Sequence, residues 1–280
     1  MIRYRLCVLF YMFWFVAISS AGAADPKPVD VTKLFAGREG CFVLRDLGGS
    51  EIAQWGTLCN QAFSPCSTFK IPNALIGLDS GVLESEQHIF KYDGKPRRRD
   101  AWNKEMDLRE AMRVSCVPCF QELARGIGVA RMQAALNTFE YGNRDISGGI
   151  DRFWLSSTLS ITPQQQVEFL ARLWTDSLGV KPAAAETTRR ILAQESGQGW
   201  QWSGKTGSCS VEDRSVPDHG WFVGEVEHDG RRAVFATLIR GNGTDGRQAR
   251  AMTQQILLTL HWLPEESATA TTASPAPAPK

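Results

Sequence analysis

Strand-forming segments lie near both ends of the chain, and helix-forming segments fill the region between them. The first two strands are joined across Gly48-Gly49, and an Asp229-Gly230 turn joins the last two. Because segments from both ends can pair in one sheet, the pattern predicts an α+β fold. We expect an antiparallel sheet built from both chain ends, flanked by helices, with an inserted all-helical lobe and a cleft where they meet. The predicted strands cover residues 41–45, 51–55, 200–206, 220–227 and 232–240, and the predicted helices begin near Ser67, Asp107, Pro118, Val129, Pro163 and Arg247.

The N-terminus has the layout of a secretory signal peptide. Arg3 and Arg5 precede an uncharged run of 13 residues from Leu6 to Ile18, and small residues follow. A membrane-spanning helix needs roughly 20 apolar residues, so no stable membrane anchor is expected, although an uncleaved anchor is the alternative. The prediction is a signal peptide at 1–24 and a periplasmic or secreted protein.

One domain is predicted over residues 25–264, followed by a disordered tail at 265–280 that is rich in Ala, Thr and Pro. Losing the two arginines of the leader would change the formal charge of +1 by two units, to −1. A nearly neutral chain gives no indication of a nucleic-acid surface. A small-molecule partner is therefore expected, with the protein a monomer or a homodimer.

Six cysteines lie beyond the leader, and export would expose them to an oxidising compartment. Cys41 and Cys59 flank the first predicted hairpin and could form a disulfide. Cys116 and Cys119 have CxxC spacing, but no further Cys or His ligand is near them, so no metal site is predicted. The spacing permits a Cys116–Cys119 disulfide. The sequence leaves the pairing of all six cysteines open, including Cys66 and Cys209.

Ser67 and Lys70 form a Ser-x-x-Lys motif at the predicted start of a helix. This separation puts the hydroxyl and the amine on one helix face, so the amine can accept the hydroxyl proton without a histidine. Far downstream, Lys205-Thr206-Gly207 lies on a predicted strand and could hold an anionic acyl substrate. Each motif is common by chance, but their order and spacing favour a serine acyl-transferring enzyme.

Together with four other segments, these motifs resemble those of the class D serine β-lactamases, the oxacillinases. The resemblance covers the chain from about Gly40 to Pro264. A class A enzyme would instead carry Ser-Asp-Asn at positions 115–117. The motifs that carry the resemblance are Pro65-Cys66-Ser67-Thr68-Phe69-Lys70, Ser115-Cys116-Val117, Tyr141-Gly142-Asn143, Phe153-Trp154-Leu155, Lys205-Thr206-Gly207 and Trp221-Phe222-Val223-Gly224.

The resemblance implies catalytic roles for four of these residues. Ser67 would attack the lactam carbonyl, and Lys70, carboxylated by carbon dioxide, would be the general base for acylation and deacylation. Only a neutral amine adds carbon dioxide, and a dry pocket lowers the pKa of a lysine. Trp154 would donate its indole N–H to the carbamate, and Ser115 would relay a proton to the leaving nitrogen. The apolar walls of the pocket would be Phe69, Val117 and Leu155.

The resemblance also implies a substrate-binding set. The backbone N–H groups of Ser67 and Ser208 would form the oxyanion hole, and Gly207 would let the substrate approach the strand closely. No cofactor is expected besides carbon dioxide or bicarbonate. The predicted substrate-binding residues are Val117, Tyr141, Lys205, Thr206, Gly207, Ser208 and Arg250.

A cation from the last helix is expected to bind the drug carboxylate, and two arginines compete for this role. At about 100° per residue, Arg250 borders the apolar face of the helix, whereas Arg247 points further towards solvent. Arg250 is therefore the predicted carboxylate partner.

Two rival functions stay open. A β-lactam sensor that stays acylated shares the same motifs, but such domains normally follow several membrane spans. A cell-wall transpeptidase or carboxypeptidase would give no reason for Trp154 beside an apolar lysine pocket. The four histidines neighbour no predicted triad and are expected at the surface, and Trp200, Trp202 and Trp221 are expected to pack against the sheet.

Overall fold

The computed structural model describes residues 29–49, 52–155, 158–210 and 217–267. The predicted signal peptide and tail residues 268–280 lie outside these residues. The prediction of disorder is wrong for residues 265–267, because Glu266 accepts a hydrogen bond from the indole of Trp200 and Ser267 is buried. Short 3₁₀ helices cover Thr32–Phe35, Cys66–Phe69 and Asp100–Trp102. The other elements are β1 (Glu39–Asp46), β2 (Ile52–Gly56), α1 (Lys70–Asp79), β3 (Ile89–Phe90), β4 (Met106–Asp107), α2 (Leu108–Arg113), α3 (Val117–Ile127), α4 (Val129–Phe139), α5 (Pro163–Trp174), α6 (Pro182–Ile191), β5 (Ala193–Gly197), β6 (Trp200–Cys209), β7 (His219–His228), β8 (Arg231–Arg240) and α7 (Gly246–Thr259).

Six of the strands form one antiparallel sheet in the order β2-β1-β8-β7-β6-β5. Strand β1 pairs with β8, so both ends of the chain meet in the middle of the sheet, as predicted. The β7–β8 turn has positive φ at Asp229 and Gly230, 50° and 76°, the backbone conformation that a tight hairpin requires. The predicted α+β class is confirmed.

The two faces of the sheet cover separate cores. Neighbouring residues of a strand point to opposite faces, so Trp221 packs in the core shared with the helical lobe and Phe222 packs in the core beneath α7. Trp202 joins Phe222 under α7, and both rings are buried. The expectation that the three sheet tryptophans are packing residues is confirmed. No helix within the described ranges is long and apolar enough to cross a bilayer.

The inserted lobe lies between β2 and β5 and contains α1 to α6. Helix α5 begins with a capping box, in which the side chains of Thr162 and Gln165 each accept a hydrogen bond from the other's backbone N–H group. Four of these elements were not predicted: α6, β5 and the two-residue strands β3 and β4. Helix α6 buries mainly small or polar residues, namely Ala184, Ala185 and Thr188, with Ile191 as its one large apolar residue. Strand β5 is an exposed polar edge strand, so neither α6 nor β5 has the large apolar side chains that mark an element in a sequence.

Three disulfides connect the six cysteines. The Cys41–Cys59 bridge that the sequence allowed is present and closes the β1–β2 hairpin, and the Cys116–Cys119 bridge is present at the start of α3. The third bridge, Cys66–Cys209, was not predicted. It spans 143 residues of sequence, a distance that gives no local signal to read.

Candidate active site

Ser67 and Lys70 lie where the helical lobe meets the sheet. The first turn of the predicted helix is a 3₁₀ turn, Cys66–Phe69, which leads directly into α1. The Nζ atom of Lys70 donates a hydrogen bond of 3.0 Å to Oγ of Ser67. Lys70 is fully buried while Ser67 is partly exposed, so the hydroxyl can reach a substrate and the amine cannot.

Burial sets the protonation of Lys70. The pKa of Lys70 lies well below 10.5, chiefly because burial disfavours the ammonium form and secondarily because Lys205 and Arg99 add positive charge nearby. Its nitrogen lies 5.4 Å from the centre of the Phe120 ring, and no described carboxylate is paired with it. A neutral amine beside a serine hydroxyl is a base that needs no histidine.

Trp154 lies beside the turn that carries Ser67 and is fully buried. Its ring stacks on Phe69 with centroids 5.3 Å apart, and Phe153 packs edge-on against both rings. The indole Nε1 atom of Trp154 is buried and has no hydrogen-bond partner among the residues that the structure describes. An unpaired buried donor is uncommon and disfavoured, so this N–H is available to an additional acceptor in the pocket.

Tyr141 is 1% exposed and does not line an open surface. Its hydroxyl donates to Gln166 at 3.3 Å, and Gln166 in turn donates to Oγ1 of Thr68 at 3.0 Å. Thr68 donates to the carbonyl of Pro65 at 2.8 Å. This placement differs from the expected substrate contact. Tyr141 instead supports the 3₁₀ turn Cys66–Phe69 that carries Ser67, called the nucleophile turn below, from the protein interior. No sequence pattern marks Gln166 as part of the site, because a glutamine on a helix is ordinarily a solvent-facing residue.

Ser115 occupies the turn between α2 and α3 and is partly exposed. It has φ of 55°, in the left-handed region that residues with a side chain rarely adopt. The next residue, Cys116, caps α3 by accepting from the N–H of Cys119, and Val117 begins the helix. The Cys116–Cys119 bridge closes this turn immediately beside Ser115.

Lys205 lies on β6 with 5% of its surface exposed. Its Nζ atom donates to the carbonyl oxygen of Thr206 at 3.0 Å. Burial, together with the positive charge of Arg99, lowers the pKa of Lys205 to about 7. Arg99, which stacks over Trp102 at 5.1 Å, was missed in the sequence because it lies in an irregular basic loop.

Gly207 allows β6 to approach the nucleophile turn. A Cβ atom at this position would lie 2.9 Å from the carbonyl oxygen of Pro65 and 3.1 Å from Cγ2 of Thr68. Gly207 was expected to make room for substrate, whereas in the structure it makes room for the chain itself. The neighbouring Ser208 is exposed, and its Oγ accepts from the N–H of Gly246 at 2.9 Å, which ties the start of α7 to β6.

Arg250 lies on α7 and is partly buried. It forms an ion pair of 2.7 Å with Glu195 of β5 and lies 4.9 Å from the centre of the Trp202 ring. Arg247 is 92% exposed and pairs with Asp245. The contrast between the two arginines follows the predicted helix faces. The Glu195 partner was not predicted, because β5 itself was not.

His219 differs from the expectation of a surface position. It is partly buried on β7, and its Nε2 lies 3.0 Å from the carbonyl oxygen of Ser64. Burial lowers the pKa of His219, so the neutral ring donates this hydrogen bond. Cys66, Cys209 and His219 are the single cluster of three possible metal ligands found among the described residues, and its two sulfur atoms are bonded to each other.

Ser67 is hydrogen-bonded to the buried Lys70 and faces strand β6, which carries a second lysine, Lys205. This arrangement is typical of serine acyl-transferring enzymes. Comparison with known proteins extends this class to a family. A family model described as the penicillin binding protein transpeptidase domain matches residues 35–258. β-Lactamase OXA-10 of Pseudomonas aeruginosa is 43% identical over 177 residues, which cover 63% of this chain and 66% of that protein, just under two thirds. The probable β-lactamase YbxI of Bacillus subtilis (strain 168) is 36% identical over 247 residues, covering 86% of this chain and 90% of that protein.

Solved structures agree with the sequence relatives. The structure of BPu1 β-lactamase superposes with a TM-score of 0.78 and 38% identity, covering 85% of this chain and 98% of that one. Class D β-lactamase BAT-2 superposes with a TM-score of 0.78 and 35% identity, covering 84% and 97%. The chain therefore belongs to the class D β-lactamase family.

Proposed function

We propose that this protein hydrolyses β-lactam antibiotics through a covalent acyl-enzyme on Ser67 and thereby confers resistance. The observation that carries the proposal is the 3.0 Å hydrogen bond from Lys70 Nζ to Ser67 Oγ, made by a fully buried lysine with a lowered pKa. A neutral amine at this distance can accept the serine proton as the oxygen attacks. Family membership supports the same reaction.

In acylation, Lys70 takes the proton of Ser67 while Oγ forms a bond to the lactam carbonyl carbon. The backbone N–H groups of Ser67 and Ser208 bind the oxyanion of the tetrahedral intermediate. The C–N bond of the ring then breaks, and the proton held by Lys70 passes through the Ser115 hydroxyl to the departing nitrogen, which returns Lys70 to its neutral form and Ser115 to its hydroxyl. In deacylation, a water molecule attacks the ester carbonyl while the Lys70 base accepts a proton from the water. The bond to Ser67 Oγ then breaks, and the base returns the proton to this oxygen.

The pocket around Lys70 fits a carboxylated lysine. The lowered pKa supplies the neutral amine that adds carbon dioxide, and the unpaired Nε1 of Trp154 supplies a donor for a buried anion. Phe69, Val117 and Leu155 limit access of water. When formed, the carbamate would replace the free amine as the general base for acylation and deacylation.

Substrate binding is proposed along the free edge of β6. Lys205 and Thr206 would line the substrate edge, and the substrate carboxylate would be bound by Arg250, which has to release Glu195 to reach it. A cleaved leader and a periplasmic location fit this function, since β-lactams act outside the inner membrane. The β-lactam is the expected partner of a monomer or homodimer, without a metal.

Turnover of a chromogenic cephalosporin tests the proposal. The protein is degassed at low pH and assayed with and without added bicarbonate, with Ser67→Ala as the inactive control and Ser80→Ala as the matched control. Sustained hydrolysis that bicarbonate restores, lost only in Ser67→Ala, supports both the reaction and the carboxylated lysine. A single stoichiometric burst that bicarbonate does not change would favour a sensor or penicillin-binding protein. Covalent penicillin labelling of Ser67→Ala would contradict the nucleophile.

A further inference from the structure

The Cys66–Cys209 disulfide joins the two segments that carry the proposed oxyanion-hole donors. Cys66 directly precedes Ser67, and Cys209 directly follows Ser208. Both half-cystines are buried, with 3% of each exposed. The bridge is therefore the shortest covalent connection between the two backbone N–H groups, which otherwise belong to segments 143 residues apart.

The part of β6 that carries Ser208 lacks a strand on its cleft side. Strand β7 pairs with β6 along its whole length, whereas β5 pairs with β6 only as far as Ser203. Within the described residues, the cleft edge of β6 beyond Gly204 therefore has no strand pairing to fix its distance from the nucleophile turn. The close approach of Gly207 to Pro65 and the Cys66–Cys209 bond connect the two segments instead.

The backbone of Cys66 also sets the direction of one donor. The N–H of Ser67 belongs to the peptide group between Cys66 and Ser67, so the torsion angles of Cys66 orient it. Cys66 has φ of 46°, in the left-handed region that is unfavourable for any residue with a Cβ atom. Such a conformation persists only where the surroundings enforce it, and a covalent bond to β6 is one such constraint.

We propose that the Cys66–Cys209 disulfide is a positioning element of the oxyanion hole. It holds the N–H groups of Ser67 and Ser208 at a fixed separation and orientation, so that both bind the developing oxyanion together. This role rests on the proposed function, since the hole is part of that proposal. Neither sulfur touches the reacting atoms, and both cysteines are positioning residues.

A purely stabilising bridge makes a different prediction. A disulfide that closes a long loop stabilises the fold whatever it does for catalysis, so loss of thermal stability alone does not support positioning. The Cys41–Cys59 bridge provides the matched control, because it closes the β1–β2 hairpin and joins neither donor segment. The two bridges are therefore compared by readouts of the hole itself.

The experiment compares C66A/C209A with C41A/C59A and with the wild-type protein. Each is assayed well below its melting temperature, with circular dichroism as the check on folding. The single-turnover acylation rate with penicillin is measured per labelled active site, and infrared difference spectroscopy records the carbonyl stretch of the acyl-enzyme. A carbonyl that loses hydrogen bonds in the hole absorbs at higher frequency. Peptide mapping without reduction establishes the wild-type connectivity.

The expected result for C66A/C209A is acylation about 10-fold slower, with the carbonyl stretch moved to higher frequency. A displaced donor still binds the oxyanion, but more weakly, so the rate falls by less than it would if the donor were removed. C41A/C59A is expected to acylate within about twofold of wild type, with an unchanged stretch. Wild-type acylation and an unchanged stretch in C66A/C209A would overturn the proposal, as would free thiols at Cys66 and Cys209 in the wild type.

Should C66A/C209A not fold, C66G/C209A tests the same point. Glycine accepts positive φ without a steric penalty, so this variant lacks the bridge while tolerating the backbone conformation. The same slower acylation and raised frequency are expected, and wild-type values again overturn the proposal. A wild-type protein that is acylated but never turns over would contradict the proposed hydrolysis. The acylation rates of the variants would still test whether the Cys66–Cys209 bridge positions the oxyanion hole.

Discussion

The carbonyl oxygen of Pro65 lies 2.9 Å from the place that a Cβ atom would take on Gly207. This contact brings strand β6 against the turn that carries Ser67. The missing side chain of Gly207 therefore determines how closely β6 approaches this turn, and with it the width of the cleft. The opposing atom belongs to the backbone and cannot rotate away. A side chain at position 207 must therefore move β6 or the turn.

Gly207→Ala is expected to lower kcat/KM for penicillin by about tenfold or more, because displacement of β6 moves the Ser208 N–H relative to Ser67. Thermal unfolding should show a stability loss of about 1–3 kcal/mol from overpacking. Gly48→Ala is the control, since a Cβ atom there meets only the side chain of Asp46. Wild-type kinetics in Gly207→Ala would show that the cleft tolerates the shift.

Trp154→Phe removes the unpaired indole N–H while keeping an aromatic ring to stack on Phe69. Without this donor, the carbamate on Lys70 should be held less tightly, and turnover at ambient carbon dioxide should fall by about 100-fold, with partial recovery in bicarbonate. Turnover is titrated with bicarbonate in the variant and in the wild type. Trp200→Phe is the control, because its indole bonds Glu266, away from the site. An unchanged bicarbonate requirement in Trp154→Phe would argue against the role of the indole.

The pH dependence of substrate binding should report Lys205. Its pKa of about 7 lies below the ordinary 10.5, so Lys205 is charged below pH 7 and loses its charge as the pH rises above 7. The KM for a monoanionic penicillin should therefore increase above pH 7. Stability changes in the opposite direction: the penalty of burying the ammonium of Lys205 is full below pH 7 and disappears as the pH rises towards 10.5, so the fold gains stability while substrate binding weakens.

Arg99→Gln separates the two causes of this shift. Removing the positive charge near Lys205 should raise the pKa of Lys205 and move the increase in KM to higher pH, while burial keeps the pKa below 10.5. KM is measured from pH 5.5 to 9 in both proteins. Arg98→Gln removes an exposed charge of the same loop that does not affect Lys205, and its profile should match the wild type. A coincident Arg99→Gln profile would contradict the electrostatic account.

Arg250→Ala should raise KM for penicillin by about 10-fold with a smaller change in kcat, because a charged hydrogen bond to the substrate carboxylate is lost. Arg247→Ala is the matched variant from the same helix, with a side chain that is 92% exposed and paired with Asp245, and should stay near wild-type values. Steady-state kinetics at one pH decide between them. The reverse order would assign the carboxylate to Arg247. Equal, small effects would leave Lys205 and Thr206 as its partners.

Much of the fold was predictable because its elements carry local patterns. The long strands have turn signals between them, α5 has its capping box, and the Ser67–Lys70 spacing on a helix places the two groups in contact. By contrast, β5 and α6 bury few large apolar side chains, and their places depend on packing against β6 and α1. Tyr141 shows the same limit: its motif marks the residue, but only the packing of Phe69 and Phe169 around it puts it behind the nucleophile.

The sequence by itself determined the fold class and the family and predicted the nucleophile and its base, because these follow from residue types at short, fixed spacings. Only the tertiary structure decided what depends on contacts between distant segments. These are the Cys66–Cys209 bridge, the Arg250–Glu195 pair, the burial that lowers the pKa of Lys205, and the burial of the Trp154 indole N–H, which has no partner among the described residues. A pKa, an ion pair or a disulfide across a cleft depends on the distance between groups and on the exclusion of solvent. Neither the distance nor the exclusion of solvent is encoded in the local order of residues.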